Sequence, residues 1–246
     1  MIKSFIQPLF HDIKTQVLDL LFPIRCLACG AENPKFICAN CSETLEILPA
    51  QFCIACHKMS IGGLTHPRCQ TAFGADGLIS IYDYHDKKIA NLLIKGKYFF
   101  LPQIYEELGI LIAEKIKAEF PHLLNLKSEI SNLQLCPIPL HWMRQNWRGF
   151  NQANILCNKL GSELNLELND VLVRKKFTKT QKDLKKAERV KNVEQAFGLK
   201  PGVEVRGKNF ILVDDVTTTG LTLQEAAKVL KRNGAKSVWC LTVARD

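Results

Sequence analysis

The sequence has no run of about 18 apolar residues, the length that a helix needs to cross a bilayer, so it predicts no transmembrane segment. It also lacks a secretory signal, because His11, Asp12 and Lys14 interrupt the apolar residues near its start. Residues 1–21 are instead predicted to form an amphipathic helix. Its apolar positions are Ile2, Phe5, Ile6, Leu9, Ile13, Val17, Leu20 and Leu21. We therefore expect a cytoplasmic protein.

Acidic residues are few relative to basic ones: 24 Asp and Glu against 33 Lys and Arg give the 246 residues a net charge of +9. This balance favours an anionic partner, such as a nucleotide, a nucleic acid or a membrane surface. Residues 174–191 carry nine basic and two acidic residues, a net charge of +7. The basic ones are Arg174, Lys175, Lys176, Lys179, Lys182, Lys185, Lys186, Arg189 and Lys191. The segment is interpreted as a functional basic loop or as a solvated surface.

Cysteine is abundant, with ten residues, and seven of these together with one histidine form four pairs separated by two residues. A Cys-x-x-Cys turn presents two thiolates to one zinc ion, and a second turn completes its tetrahedral coordination. We predict two structural zinc sites. The first comprises Cys26, Cys29, Cys38 and Cys41, and the second comprises Cys53, Cys56, His66 and Cys69. The remaining thiols, Cys136, Cys157 and Cys240, are predicted to be buried core residues.

The spacing of these ligands leaves alternatives open. A cross-braced arrangement, in which the first pair joins the third and the second joins the fourth, satisfies the same counts. His57 is a competitor for His66, which we prefer because His66 and Cys69 repeat the spacing of the other pairs. Disulfides are disfavoured in a reducing compartment. Cys53 to His57 also matches a c-type haem attachment pattern, which requires export.

The stretch from Asn209 to Glu225 reads as a buried strand followed by an anion-binding loop and a helix. Phe210 to Val213 is a short apolar run that we expect to end at Asp214 and Asp215. A threonine-rich loop ending at Gly220 then leads into a helix over 222–233. Backbone N–H groups in the first turn of a helix bind phosphate, helped by the helix dipole. Thr222 and Glu225 are alternatively an ordinary capping box.

Strands and helices alternate after position 77, where cysteine becomes rare, and this alternation predicts a parallel sheet covered by helices. We therefore place a small zinc module at 22–73 and an α/β domain at 77–246. A strand over 133–138 is followed by a basic loop that is the expected counterpart of a pyrophosphate. Its candidate residues are Leu140, His141 and Arg144.

The motif from Val213 to Thr222 resembles the phosphoribosyl-pyrophosphate (PRPP) motif of type I phosphoribosyltransferases. That resemblance implies that Asp214 and Asp215 hold the ribose hydroxyls and that the loop wraps the 5-phosphate of PRPP, which binds with Mg²⁺. The whole set of implied PRPP-binding residues is Asp214, Asp215, Val216, Thr217, Thr218, Thr219, Gly220, Leu221 and Thr222. Candidates for neutralising the departing pyrophosphate are Arg144, Lys175 and Lys176, and the basic segment occupies the position of the family's mobile loop.

The cysteine pairs, the segments from Pro137 to His141 and from Arg148 to Ala153, and Lys95 to Tyr98 resemble the ComF family of competence-associated, phosphoribosyltransferase-like proteins. The resemblance implies a double zinc ribbon before a type I phosphoribosyltransferase domain, and a role in natural competence and DNA uptake. An alternative is a non-catalytic protein that handles single-stranded DNA and keeps the PRPP pocket as a sensor or relic, with single-stranded DNA and DNA-uptake proteins as its partners. Trp142, Trp147 and Phe150 near the basic residues suit base stacking. The acceptor substrate is left open.

Overall fold

The computed structural model describes residues 24–121, 123, 133–176 and 195–246. The amphipathic helix predicted for residues 1–21 lies outside this range, as does the basic segment beyond Lys176. Within the described ranges, no helix combines the length and the apolar composition needed to span a bilayer.

Seven strands and six α-helices make up the regular structure of the described residues. The strands are β1 (Gly77–Asp83), β2 (Leu133–Pro137), β3 (Glu167–Leu168), β4 (Leu172–Arg174), β5 (Phe197–Leu199), β6 (Asn209–Thr217) and β7 (Ser237–Arg245). The helices are α1 (Ala39–Thr44), α2 (Lys87–Tyr98), α3 (Gln103–Glu119), α4 (Trp142–Arg148), α5 (Gln152–Leu164) and α6 (Leu221–Arg232). Two single 3₁₀ turns lie at Ile61–Gly63 and Pro67–Cys69.

Five strands form one sheet in the order β1-β7-β6-β2-β3, and every neighbouring pair is parallel. Strand β6 is the middle strand, and its residues 209–213 are buried. Such burial on both faces requires the continuous apolar run seen in the sequence. Strands β4 and β5 form a separate antiparallel pair. The predicted parallel, helix-covered sheet is confirmed.

The two faces of the sheet carry different cores. Side chains of Ile211 and Val213 pack with α3 and α5 in one cluster. Side chains of Phe210 and Leu212 pack with α6 and the β4–β5 pair in the other. Because successive residues of a strand alternate between its faces, Asp214 continues the series of Phe210 and Leu212, and Asp215 continues that of Ile211 and Val213.

Strand β6 continues through the two acids, so the prediction that it ends before them is wrong. Asp214 is paired with Thr242, and the ladder to β7 extends as far as Thr217 and Arg245. The apolar run ends at Val213, but the backbone pairing does not, because β7 offers nine residues of parallel partner. Asp214 and Asp215 therefore sit on rigid backbone near the carboxyl end of the central strand.

Helix α6 begins one residue earlier than predicted. Gly220 precedes it with a left-handed φ of 69° and has no side chain to cap the helix. Thr222 is thus already inside the first turn, and Glu225 pairs with Lys228 rather than returning to the helix start. The capping-box alternative is therefore not what starts this helix, and its first N–H groups face the loop.

The cysteine-rich segment packs directly on the sheet. The Gln51 side chain exchanges two hydrogen bonds with the backbone of Ser80 in β1, at 2.9 and 3.0 Å. The Glu107 carboxylate on α3 accepts from the backbone N–H groups of Phe36 and Ile37, at 3.0 and 2.7 Å. The segment contributes buried side chains to both cores. Domain limits at 73 and 77 stay a prediction.

Candidate functional site

The two acids of β6 have different surroundings. Asp215 is buried, and its carboxylate contacts the Nζ atom of Lys97 at 2.8 Å. Lys97 comes from the last turn of α2, which places a positive charge at the strand end. Asp214 is only partly buried and accepts a hydrogen bond from the backbone N–H of Asp215 at 2.8 Å.

The pKa of Asp214 is raised from 3.8 to about 7. Burial contributes most, and repulsion by the neighbouring Asp215 carboxylate adds to it. The backbone N–H of Asp215 and the charges of Lys97 and Arg174 act in the opposite direction without cancelling the rise. Asp214 therefore costs free energy when it is ionised and no ligand is bound. Carboxyl groups with such a perturbed pKa are typical of functional sites.

A pocket of about 90 Å³ opens between Asp214 and the start of α6. It is lined by Asp214, Val216, Thr217, Thr218, Gly220, Leu221, Thr222 and Leu223. Thr219 is absent from this lining, yet its Oγ1 atom is buried without a hydrogen-bond partner among the described residues. Hydroxyls, backbone N–H groups at a helix start and one carboxylate together suit a phosphorylated sugar.

Basic side chains gather beside the acids. Burial and the charge of Arg144 lower the pKa of Arg174 to about 10, and the charge of Asp214 opposes this shift without cancelling it. Burial and the charge of Arg148 lower the pKa of Arg144. His141, which is buried, has its pKa lowered by burial and then by Arg174 and Arg144. Cations crowded at the cost of mutual repulsion indicate a site for an anion.

The predicted pyrophosphate loop is partly helical, which corrects the expectation of a loop through Arg144. The loop ends at His141, whose Nδ1 atom accepts from the N–H of Met143 at 3.3 Å and so caps α4. Arg144 therefore projects from a helix, which ends at Gly149 in a left-handed conformation. Seven residues are too few for the apolar periodicity by which a helix is recognised in a sequence.

Three basic residues of this site were not among the predicted site residues: Lys97, Arg148 and Arg174. Lys97 and Arg148 lie in segments that resemble the ComF family, which was the available signal. Lys175 and Lys176, which were predicted as candidates, follow β4. The Lys175 side chain lies against β5, where a Cβ built on Gly198 would be 2.3 Å from Cε of Lys175. The structure does not bring Lys175 into contact with the acids, so its role stays a prediction.

An exposed aromatic surface adjoins this basic cluster; we call it the aromatic shelf, and it consists of Tyr98, Phe100 and Trp147. The ring of Trp147 lies 6.2 Å from that of Tyr98 and 5.2 Å from that of Phe100. All three side chains are at least 44% exposed. Phe100 has a φ of 57°, which is costly for a bulky residue and concentrates at functional positions.

The cysteine pairs assemble in chain order, so the cross-braced alternative is wrong. Ligand atoms within 4.8 Å of one another define a first cluster of Cys26, Cys29, Cys38 and Cys41, and a second cluster of Cys53, Cys56, His66 and Cys69. In the first cluster, the Sγ atoms of Cys29 and Cys38 are 3.8 Å apart. Two thiolates at about 2.3 Å from a tetrahedral zinc ion would be separated by roughly that distance.

His66, and not His57, belongs to the second cluster. Its Nδ1 atom lies 3.3 Å from the Sγ atom of Cys56, and its Nε2 atom lies 3.0 Å from the carbonyl oxygen of Met59. A metal-ligating histidine commonly donates from its other nitrogen to such an oxygen. His57 instead contacts the guanidinium of Arg245 at 2.8 Å.

The thiols are prepared to bind a cation. Burial raises the pKa of Cys26, but N–H groups of Cys38, Cys29 and Ala28 outweigh it and lower the value to about 6. Cys53 is likewise lowered to about 7, where burial is opposed by N–H groups that include those of Cys56 and His66. Burial and neighbouring sulfurs raise the pKa of Cys41 and of Cys69. A divalent cation resolves this mutual repulsion, so both donor sets fit zinc.

Two known family models match parts of the chain. Residues 17–70 match the double zinc ribbon domain, and residues 148–246 match the phosphoribosyl transferase domain. The fold and the site thus define a zinc-ribbon protein with a phosphoribosyltransferase-type domain.

Three relatives are named for DNA utilization or for competence. The chain is 40% identical over 112 residues to the DNA utilization protein YhgH of Escherichia coli (strain K12), which is 44% of this chain and 48% of that protein. It is 38% identical over 113 residues to competence protein F of Haemophilus influenzae (45% of this chain, 49% of that protein). It is 26% identical over 240 residues to competence protein ComFC of Streptococcus pneumoniae (90% and 100%). Together with the two domain matches, the names of these relatives agree with the resemblance to the ComF family that the sequence showed.

The chain spans about half the length of the first of these relatives, at 48%. Among solved structures, a hypoxanthine phosphoribosyltransferase from Staphylococcus aureus aligns over 57% of this chain and 65% of its own, with 14% identity and a TM-score of 0.34.

Proposed function

We propose that this protein binds PRPP together with Mg²⁺ in the pocket between β6 and α6. The observation that carries the proposal is the placement of Asp214 in one pocket with Thr217, Thr218 and Thr222 at a helix start. The carboxylates of Asp214 and Asp215 suit the ribose hydroxyls, and the threonine loop suits the 5-phosphate. The buried hydroxyl of Thr219, which has no partner among the described residues, supports a ligand at this loop.

The surrounding charges suit the second end of PRPP. Arg144 and Arg174 supply fixed positive charge where a pyrophosphate would lie. Asp214 and Asp215 are the carboxylates that would hold Mg²⁺ together with PRPP, and the ion would add charge neutralisation of the pyrophosphate oxygens. In a transfer reaction the bond from C1 to the pyrophosphate oxygen breaks and a bond from C1 to the acceptor forms. Charge stabilisation and positioning would supply most of the acceleration, with Lys175 and Lys176 as further candidates.

Calorimetric titration with PRPP and Mg²⁺ tests this proposal. The double variant Asp214→Asn with Asp215→Asn should bind at least about 100-fold more weakly, because it loses two charge-assisted interactions of about 1.5–3 kcal/mol each. Asp83→Asn is the matched control, because Asp83 ends the outer strand β1 and bonds to His85 instead of the pocket. Equal affinity of the double variant and the wild type would refute the assignment.

A second candidate function is the handling of single-stranded DNA, and the aromatic shelf favours it. Stacking of a base on an exposed ring contributes about 1–3 kcal/mol, and nearby arginines would hold the phosphates. Arg148 lies 5.8 Å above the ring of Trp147, and its Nε atom is buried without a hydrogen-bond partner among the described residues. The names of the relatives are consistent with a role in competence and DNA uptake, and uptake proteins would then be partners.

Fluorescence anisotropy with a labelled oligodeoxythymidylate separates the two functions. Trp147→Ala should weaken DNA binding about tenfold or more, whereas Phe73→Ala should not, although Phe73 is also an exposed ring beside an arginine. Binding that is unchanged in Trp147→Ala would remove the shelf from the DNA site.

We further propose a cytoplasmic location, because unpaired thiolate ligands persist in reducing conditions.

A further inference from the structure

The second cysteine cluster touches the phosphate loop at Gly220. The residue between two of its ligands, Ile54, is 1% exposed and packs with Leu223 and Ala226 of α6. A Cβ placed on Gly220 would lie 2.8 Å from Cγ1 of Ile54 and 3.3 Å from its carbonyl oxygen. The loop and the Cys53–Cys56 turn are therefore in van der Waals contact, and a glycine is required where they meet.

The same turn also supports the other end of the loop. Arg245 is paired with Thr217 through the β6–β7 ladder, at the point where the loop leaves the sheet. Its guanidinium contacts Nδ1 of His57 at 2.8 Å and lies 4.9 Å above the ring of Phe52. Phe52 and His57 flank the Cys53–Cys56 turn. The turn is therefore linked to both ends of the phosphate loop, to Thr217 through Arg245 and to Gly220 through Ile54.

A third contact joins the chain just after this cluster to the helix. The N–H of Ala75 donates to the side-chain carbonyl of Gln224, in the first turn of α6, at 3.1 Å. Helix α6 supplies the N–H groups that face the pocket. Its first turn is thus positioned by the cysteine-rich segment as well as by the sheet.

The first cluster provides an internal comparison, because it lies against different elements. Its neighbours Phe36 and Ile37 bond to Glu107 of α3, and the carbonyl of Leu27 accepts from Lys95 of α2. These contacts of the first cluster reach α2 and α3 and not residues 217–220. The two clusters are therefore chemically similar but differently connected.

We infer that the second cluster, once it holds its metal, fixes the phosphate loop in its binding conformation, with Ile54 as the positioning residue. The inference rests on the proposed PRPP function and extends it to the regulation of that site. Because coupling between two binding events is reciprocal, metal binding at the second cluster and PRPP binding at the loop should strengthen one another. Metal at the first cluster should not show this coupling.

A pair of isoleucine variants tests the contact itself. Ile54→Ala keeps every metal ligand but removes the side chain that meets Gly220, whereas Ile37→Ala removes an equally buried side chain beside the first cluster. Both variants should retain two zinc ions. We expect Ile54→Ala to weaken PRPP binding about tenfold and Ile37→Ala to change it less than about threefold. Equal effects of the two variants would overturn the inference.

Hydrogen exchange gives a readout that needs no PRPP. Cys69→Ser removes a ligand of the second cluster and Cys29→Ser removes one of the first. Without PRPP, Cys69→Ser should speed amide exchange at residues 217–224, and Cys29→Ser should speed it around residues 26–41 instead. Unchanged exchange at 217–224 in Cys69→Ser overturns the inference. If the two variants show the expected exchange pattern but the wild-type protein does not bind PRPP, the proposed function alone is overturned.

The reciprocal effect closes the test. Zinc transfer to a chromophoric chelator is followed in Cys29→Ser, which keeps the second cluster, and in Cys69→Ser, which keeps the first. PRPP with Mg²⁺ should slow zinc loss from Cys29→Ser several-fold and leave the rate in Cys69→Ser unchanged. Equal slowing in both variants, or none in either, contradicts the coupling.

Discussion

Replacing Asp214 by asparagine should stabilise the unliganded protein while it weakens PRPP binding. The carboxyl of Asp214 has a pKa of about 7 in the folded protein and an ordinary value of 3.8, so folding favours its protonated form. The stability associated with that form is complete below about pH 4 and is lost as the pH rises through 7. An asparagine keeps a neutral polar group and does not undergo this loss.

The difference between the two pKa values sets the magnitude. About three pH units at about 1.4 kcal/mol each give roughly 4 kcal/mol as the upper limit of the cost of ionised Asp214. Lys97 and Arg174 lose a favourable charge in the variant, which reduces the gain. We expect Asp214→Asn to raise the free energy of unfolding by about 1–3 kcal/mol at pH 8.

Chemical denaturation with saturating zinc measures this gain. From pH 6 to pH 8, where Asp214 completes its ionisation, the advantage of the variant should widen by about 1 kcal/mol. Asp215→Asn is the matched control, because it removes the partner of Lys97 and should lower stability instead. A gain for Asp214→Asn that is independent of pH, or a loss at pH 8, would refute the reasoning.

Three further outcomes are expected. Lys97→Gln should lower the free energy of unfolding by about 1–3 kcal/mol and raise the pKa of Asp214 further. The pH dependence of PRPP binding should then shift to higher pH, and an unshifted pH dependence would contradict this. Metal analysis should return two zinc ions per chain, and one ion with readily alkylated Cys53 and Cys69 would exclude the second site. Trypsin should cut the free protein within residues 177–191. PRPP with Mg²⁺ should protect this segment if it closes over the site, and single-stranded DNA should protect it if it binds nucleic acid. Cleavage that neither ligand changes excludes both roles.

Local chemistry carried most of the prediction from sequence. Apolar runs located β2 and β6, since burial in a parallel sheet demands them. The two-residue spacing within the cysteine pairs identified the metal ligands, because one turn of backbone is all that their geometry needs. Spacing alone did not decide between the sequential and the cross-braced arrangements, which depends on how the pairs fold together.

Contacts between distant residues were beyond such reasoning. The pair Lys97–Asp215 joins positions 118 residues apart, and only the tertiary fold brings them together. The contact of Ile54 with Gly220 is of the same kind. The end of β6 was misplaced because hydrophobicity marks burial, whereas a strand ends where its partner's hydrogen bonds end.

The most direct test of the central claim is a crystal structure of the protein with PRPP and Mg²⁺. The account predicts the ribose hydroxyls within hydrogen-bond distance of Asp214 and Asp215. It also predicts the 5-phosphate against residues 217–222 and the pyrophosphate near Arg144 and Arg174. PRPP bound elsewhere, or a pocket that stays without PRPP at saturating concentration, would contradict it.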